Sequence, residues 1–269
     1  RSSGSDYVMF SDTLSMYPVQ DSEKWFEIPV VATNICDYDR SFGVEVDDKA
    51  SNAIEKKQYV VESNTVTIKA GERVAKFRMK GVYENIGKTD SLSVTFNLLA
   101  KDENIWDLYG TRTRVQMQKA CPFELSTFEG YCLLTSSFFS AYMTNTEHRL
   151  LQAERDKAED NTIILHDFFY KNYDLKIKYD PSDPLKPFVE FDEQIIGSTA
   201  EAFGTIYGNG KLMCDQPVAY DSYYNVCQKF VILYTTIYVV GKGTVGTYVN
   251  ILEWISDEEA EQYKKEEGL

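Results

Sequence analysis

Between Leu92 and Leu98 every second residue is apolar, namely Leu92, Val94, Phe96 and Leu98, and the residues between them are Ser93, Thr95 and Asn97. Successive side chains of a strand point to opposite faces, so this period of two describes a ribbon with one buried and one wetted side. A helix would scatter the same residues around its circumference. The pattern recurs with Phe26, Ile28 and Val30, with Phe42, Val44 and Val46, and over residues 111–118, where Val115 and Met117 point inward. Residues 64–69 and 73–79 flank Ala70-Gly71-Glu72, and glycine supplies the backbone angles of a short connection, so these two runs read as a hairpin. Val66 and Ile68 are then expected to face Phe77 and Met79.

Aromatic residues make up 14% of the chain, with 19 Tyr and 15 Phe, and rings of this kind suit the half-buried pleated surface of strands. The chain therefore reads as all-β. At 269 residues it is long enough for two cores. Residues 1–5 read as a linker left after removal of a leader or anchor, and residues 6–120 as an immunoglobulin-like sandwich of short antiparallel strands. Pro122 lacks a backbone donor and ends the preceding ladder, which puts a boundary at Cys121-Pro122. Residues 121–269 form a second antiparallel β-domain, in which the runs 163–170, 173–179, 186–191, 229–240 and 244–255 are strands. A meander, a barrel and a second sandwich all fit them. Residues 146–159 and 256–267 are rich in helix formers and read as short surface helices, the second opening on Ser256 as a cap with Glu259 three residues on.

The net charge of −14 repels phosphate backbones, which argues against a nucleic-acid partner. No run approaches the roughly 20 apolar residues of a membrane-spanning helix. Any tie to a membrane would pass through a lipid anchor preceding Arg1. The five cysteines, Cys36, Cys121, Cys132, Cys214 and Cys227, lack metal-site spacing and read as thiols, with Cys121 to Cys132 or Cys214 to Cys227 as the two conceivable bridges.

Asn52-Ala53-Ile54-Glu55-Lys56-Lys57-Gln58-Tyr59, followed by the Gly71-Glu72 turn, resembles the Calx-β signature, whose family fold is an immunoglobulin-like sandwich. The segments 106–110, 119–123 and 253–258 resemble the joining and terminal segments of Bacteroides-type surface lipoproteins, in which a Calx-β-like domain precedes a C-terminal β-domain of unknown function. The resemblance implies a cell-envelope location, at the outer membrane or secreted. Calx-β domains can bind calcium through acidic residues at one end of the sandwich, and Asp37, Asp39, Asp47 and Asp48 could in principle supply oxygens. Here Gln58 stands where an aspartate is expected and the 81–88 loop carries Glu84 as its one carboxylate, so no metal or other cofactor is expected.

The two histidines, His148 and His166, lie in no nucleophile frame, and Gly241-Lys242-Gly243 sits between two strands as a hairpin turn and not as a phosphate loop. No catalytic residue is assigned. The candidate ligand-binding residues are Trp106 and Tyr109 at the domain junction, and Tyr220, Tyr223, Tyr224 and Asn225 in a polar stretch, because exposed rings stack on sugar faces while nearby amides and acids bind hydroxyls. The alternative is that these rings pack inside the second core or at the interdomain seam. The reading is a non-catalytic envelope module for binding or adhesion, its partner a glycan or an envelope or host surface protein. A carboxylate-dependent glycoside hydrolase and a structural subunit of an outer-membrane assembly are the alternatives.

Overall fold

The structure, a computed structural model, describes residues 5–106 and 110–269, which gather into two compact units divided between Pro122 and Phe123. The first carries β1 (Val8–Phe10), β2 (Leu14–Val19), β3 (Phe26–Ala32), β4 (Arg40–Val46), β5 (Tyr59–Val61), β6 (Thr65–Ile68), β7 (Val74–Gly81), β8 (Leu92–Leu99) and β9 (Arg112–Lys119). They form two sheets in the orders β1-β3-β7-β5 and β2-β9-β8-β4-β6, antiparallel throughout except for the parallel pair β2 and β9. This is an immunoglobulin-like sandwich. Ile28, Val30, Phe77 and Met79 of one sheet meet Val44, Val94, Phe96, Val115 and Met117 of the other in a single core. The rings of Phe77 and Phe96 cross edge to face at 4.9 Å.

The expected hairpin between residues 64 and 79 is corrected. β6 pairs with β4 in one sheet, while β7 pairs with β3 and β5 in the other. The turn at Gly71, whose φ is +82°, therefore crosses between layers. Val66, Ile68, Phe77 and Met79 do bury together, across the sandwich and not along one ladder.

The second unit carries β10 (Gly130–Ser136), α1 (Ser137–Tyr142), β11 (Arg149–Arg155), β12 (Thr162–Leu165), β13 (Leu175–Tyr179), β14 (Phe188–Glu190), β15 (Gln194–Ser198), α2 (Thr199–Phe203), β16 (Lys211–Asp215), β17 (Ser222–Asn225), β18 (Phe230–Val239), β19 (Gly243–Trp254) and α3 (Asp257–Glu267). β10 to β14 run in sequence as an antiparallel meander, β14 pairs with β17, and β17, β18 and β19 follow. β19 then pairs with β10, which closes an eight-stranded barrel. The β15–β16 hairpin extends along the far half of β18. Barrels of eight strands have interiors just wide enough for side chains to fill, and this one is filled by rings. Phe128 stacks on Tyr179 at 4.5 Å and Phe138 on Phe169 at 4.6 Å. Asn250 is the polar exception. Fully buried, it accepts a bond from Ser136 Oγ (2.6 Å) and donates to the Leu233 carbonyl (2.8 Å) and Thr235 Oγ1 (2.9 Å), so the cost of burying its amide is offset.

Two further expectations change. Residues 146–159 hold strand β11 and no helix, because Leu151 and Ala153 alternate into the core while Gln152 and Glu154 face out, and pairing with β10 and β12 overrides the helix propensity. Cys121 and Cys227 are disulfide-bonded whereas Cys132 and Cys214 are free and buried, so neither of the two conceivable pairs forms. The second expected helix is present as α3, capped by Ser256 Oγ accepting from the Glu259 amide.

Candidate ligand-binding face

Strand β17 sorts the sequence-derived tyrosines. Ser222 and Tyr224 point into the barrel, so Tyr223 points out. The Tyr224 ring lies against Phe123, Phe128 and Tyr179, its hydroxyl donates to the Asp180 carbonyl at 3.0 Å, and burial pushes its pKa up to about 12. Tyr224 is a core residue. Asn225 is engaged locally, its Oδ1 accepting the Gln228 amide at 2.9 Å to close the turn into β18. Trp106 is about half exposed in the first unit, and Tyr109 lies outside the described residues.

Tyr223 and Tyr220 lie on the outside of the barrel, and the ladder register gives them company. Tyr223 is opposite Phe188 on one side and Ile232 on the other, and Ile232 is opposite Ile251. Paired side chains on one face stand about 5 Å apart, so Phe188, Tyr223, Ile232 and Ile251 form one row across four strands. A second row lies beside it. Tyr220, 55% exposed, stacks on Tyr234 with centroids 5.1 Å apart and planes 25° apart, and Tyr234 is opposite Val249. Phe230 meets Tyr223 edge to face at 6.4 Å. Polar groups edge the platform, including Glu253 opposite Phe230 and the bonded pair Thr236 and Thr247 (3.0 Å). Phe188, Phe230 and Tyr234 were absent from the sequence-derived set. Residues 230–234 are apolar or aromatic at every position, so no sequence parity marks Phe230, Ile232 and Tyr234 as outward; it appears only once Val231, Leu233 and Ile237 are seen buried.

Helix α3 explains why the platform ends where it does. Ala260 is buried, Lys264 Nζ lies 4.7 Å over the Tyr131 ring and donates to its hydroxyl, and Tyr263 donates to the His148 carbonyl, so the helix covers the outer side of β10 and β11. The face of β17, β18 and β19 has no such cover within this unit, and Tyr223, Val249 and Ile251 each keep more than a third of their surface.

The histidines take structural places. His166 bridges Glu154 (2.8 Å) and Asp174 (3.2 Å), and its hydrogen bond to the Glu154 carboxylate chiefly holds its pKa above the usual value against partial burial. His148 Nδ1 meets Thr135 Oγ1 at 2.8 Å, but Glu147 is 3.7 Å from its other nitrogen and exposed, too far for the hydrogen bond that orients a catalytic base. Asp39 accepts the Ala70 amide and pairs with Lys69, while Asp47 caps residues 48–50 and pairs with Arg112. They flank opposite ends of β4, about 25 Å apart at the rise of a strand, and cannot share one ion. Among the described residues no group of three or more His, Cys, Asp or Glu is placed to hold a metal.

An immunoglobulin-like sandwich followed by a closed, ring-filled barrel defines a two-unit β-protein with an exposed aromatic face. Residues 108–266 match the family described as "Domain of unknown function (DUF4984)", and the chain belongs to that family. No curated protein matches it. Among solved structures it is similar to a protein of unknown function from Bacteroides ovatus, at 9% identity and a TM-score of 0.37 over 91% of this chain and 89% of that one. It is also similar to a Bacteroides ovatus ATCC 8483 protein described as a "putative carbohydrate binding protein" (12% identity, TM-score 0.34, 90% and 69% covered) and to the apo form of the Calx CBD1 domain (16% identity, TM-score 0.34, 43% and 98% covered).

Proposed function

We propose that this chain is a non-catalytic binding module whose outer barrel face takes a glycan. The observation that carries the reading is the stacked pair Tyr220 and Tyr234 beside Tyr223 on the uncovered sheet face. Flat rings offer the apolar C–H side of a sugar a large contact at little entropic cost, and the edging Glu253, Thr236 and Thr247 supply partners for hydroxyls. The interior is packed with side chains, which argues for recognition on the outside. A location at the cell envelope, by lipid anchor or secretion, belongs to the same proposal. The disulfide-bonded state of Cys121 and Cys227 supports it, since such bonds persist in oxidising compartments.

The test is calorimetry of the intact protein against a panel of oligosaccharides, alongside Tyr220→Ala and Tyr234→Ala. Binding in the micromolar to millimolar range, weakened about tenfold or more by either variant while the melting temperature holds, supports the proposal; tenfold corresponds to about 1.4 kcal/mol. Absence of binding to every glycan refutes it, and release of new reducing ends would replace it with a hydrolase.

A further inference from the structure

Next to the tyrosine face, on the same outer side of the barrel, lies a groove of about 370 Å³ between β12, β13, β14 and the start of β15. Its floor is fixed by the chain itself. Gln194 accepts the Lys176 amide at 2.8 Å and donates to the carbonyls of Lys176 (2.9 Å) and Asp192 (3.0 Å), standing in for a missing strand. Lys176 Nζ is held at 3.0 Å by Asp156, whose carboxylate is nearly buried. The rim differs. Lys178, Glu190, Asp192 and Gln216 line the groove, and none of these four side chains makes a hydrogen bond or ion pair with the described residues. A rigid floor under a rim whose polar side chains have hydrogen-bonding capacity left over is the arrangement of a polar binding site, with Lys178 and Glu190 side by side across the ladder.

Register joins this groove to the tyrosines. Glu190 lies two residues along β14 from Phe188 on the same face, about 7 Å at the rise of a strand, and Phe188 is opposite Tyr223. One oligosaccharide can therefore span both.

We propose that the groove is a second subsite of the glycan site and selects sugars that are uncharged or carry an amine, against uronic and sulfated ones; this rests on the reading of the tyrosine face. The groove sets two ammonium groups against four carboxylates: Lys176 is held by Asp156 with Glu159 nearby, and Lys178 lies opposite Glu190 with Asp192 on the same rim. An anionic sugar is repelled by that balance and by the net charge of −14, while an amine is attracted and neutral hydroxyls are served by Gln216 and the acids.

Titrations of the intact protein with neutral gluco-, manno- and xylo-hexaoses, a chitosan hexamer and oligogalacturonate test this. Oligogalacturonate is expected to bind at least tenfold more weakly than the best neutral or amine-bearing probe. That gap should narrow in Glu190→Gln and Asp192→Asn, and Gln216→Ala should weaken the neutral probe severalfold. Oligogalacturonate binding as tightly as the others, or groove variants indistinguishable from the parent while Tyr220→Ala abolishes binding, overturns the groove and leaves the face standing. No binding by any probe overturns both.

Discussion

Tyr223 and Tyr224 are neighbours in sequence, and replacing each with alanine should produce opposite phenotypes. Tyr224 is buried, its ring centroid lies 5.2 to 5.8 Å from those of Tyr179, Phe123 and Phe128, and its hydroxyl donates to the Asp180 carbonyl. Truncating a buried aromatic costs about 3–5 kcal/mol, and loss of the hydroxyl bond is worth about 1 kcal/mol of the total. For a domain of this size about 4 kcal/mol lowers the melting temperature by roughly 8–16 °C. Tyr224→Phe isolates the hydroxyl and should cost about 1 kcal/mol. Tyr223 is 38% exposed and loses the edge contact with Phe230 and its cross-strand neighbours Phe188 and Ile232, so Tyr223→Ala should cost about 1–2 kcal/mol, well short of Tyr224→Ala, while weakening glycan binding. Scanning calorimetry and oligosaccharide titration of the three variants decide the matter. Equal destabilisation by the two alanines would refute the assignment of Tyr223 to the outer face.

Three other outcomes follow from named contacts. His166 has a folded pKa above its unfolded value, so the ion pairs with Glu154 and Asp174 contribute fully below the unfolded pKa and are lost as pH rises through the folded one. Denaturant melts of His166→Gln should show a deficit of about 0.5–1 kcal/mol near about pH 5.5 that shrinks by about pH 8.5, a size set by exposed pairs; a deficit independent of pH contradicts the pairing. Ser256→Ala removes the cap of α3, and hydrogen exchange of that helix should loosen by about 1 kcal/mol with the barrel strands unaffected. Calcium should leave the melting temperature of the protein unchanged relative to chelator, since Asp39 and Asp47 flank opposite ends of β4 and are already bonded; a rise with calcium would show a site that binds the native state.

The existence of β8 was legible because apolar and polar residues alternate along it, yet its second face is not wetted as expected, for Ser93 and Thr95 are buried as well; β18 is apolar at nearly every position and reveals its parity only through burial. What strands pair with was not legible. The Gly71 turn has the same local chemistry whether it returns a chain along one ladder or carries it to the opposite sheet, and the difference lies in β3 and β4, which are far away in sequence. β11 shows the same limit from the other side. Its helix-forming residues yield to two flanking strands that no local window contains. The site was half legible for a related reason. Tyr220 and Tyr223 stood out by composition, but Tyr224 separates from them only once the parity of β17 is fixed by its neighbours, and Phe188, Phe230 and Tyr234 join only through register.

The most direct measurement is a backbone amide NMR titration of the intact protein with the tightest oligosaccharide of the panel. Shifts concentrated at Tyr220, Tyr223, Ile232, Tyr234, Val249 and Ile251 are the expected result, with the buried Leu233, Asn250 and Leu252 little moved. Shifts confined to the barrel interior or to the first unit, with the tyrosine face silent, would contradict a glycan-binding outer face.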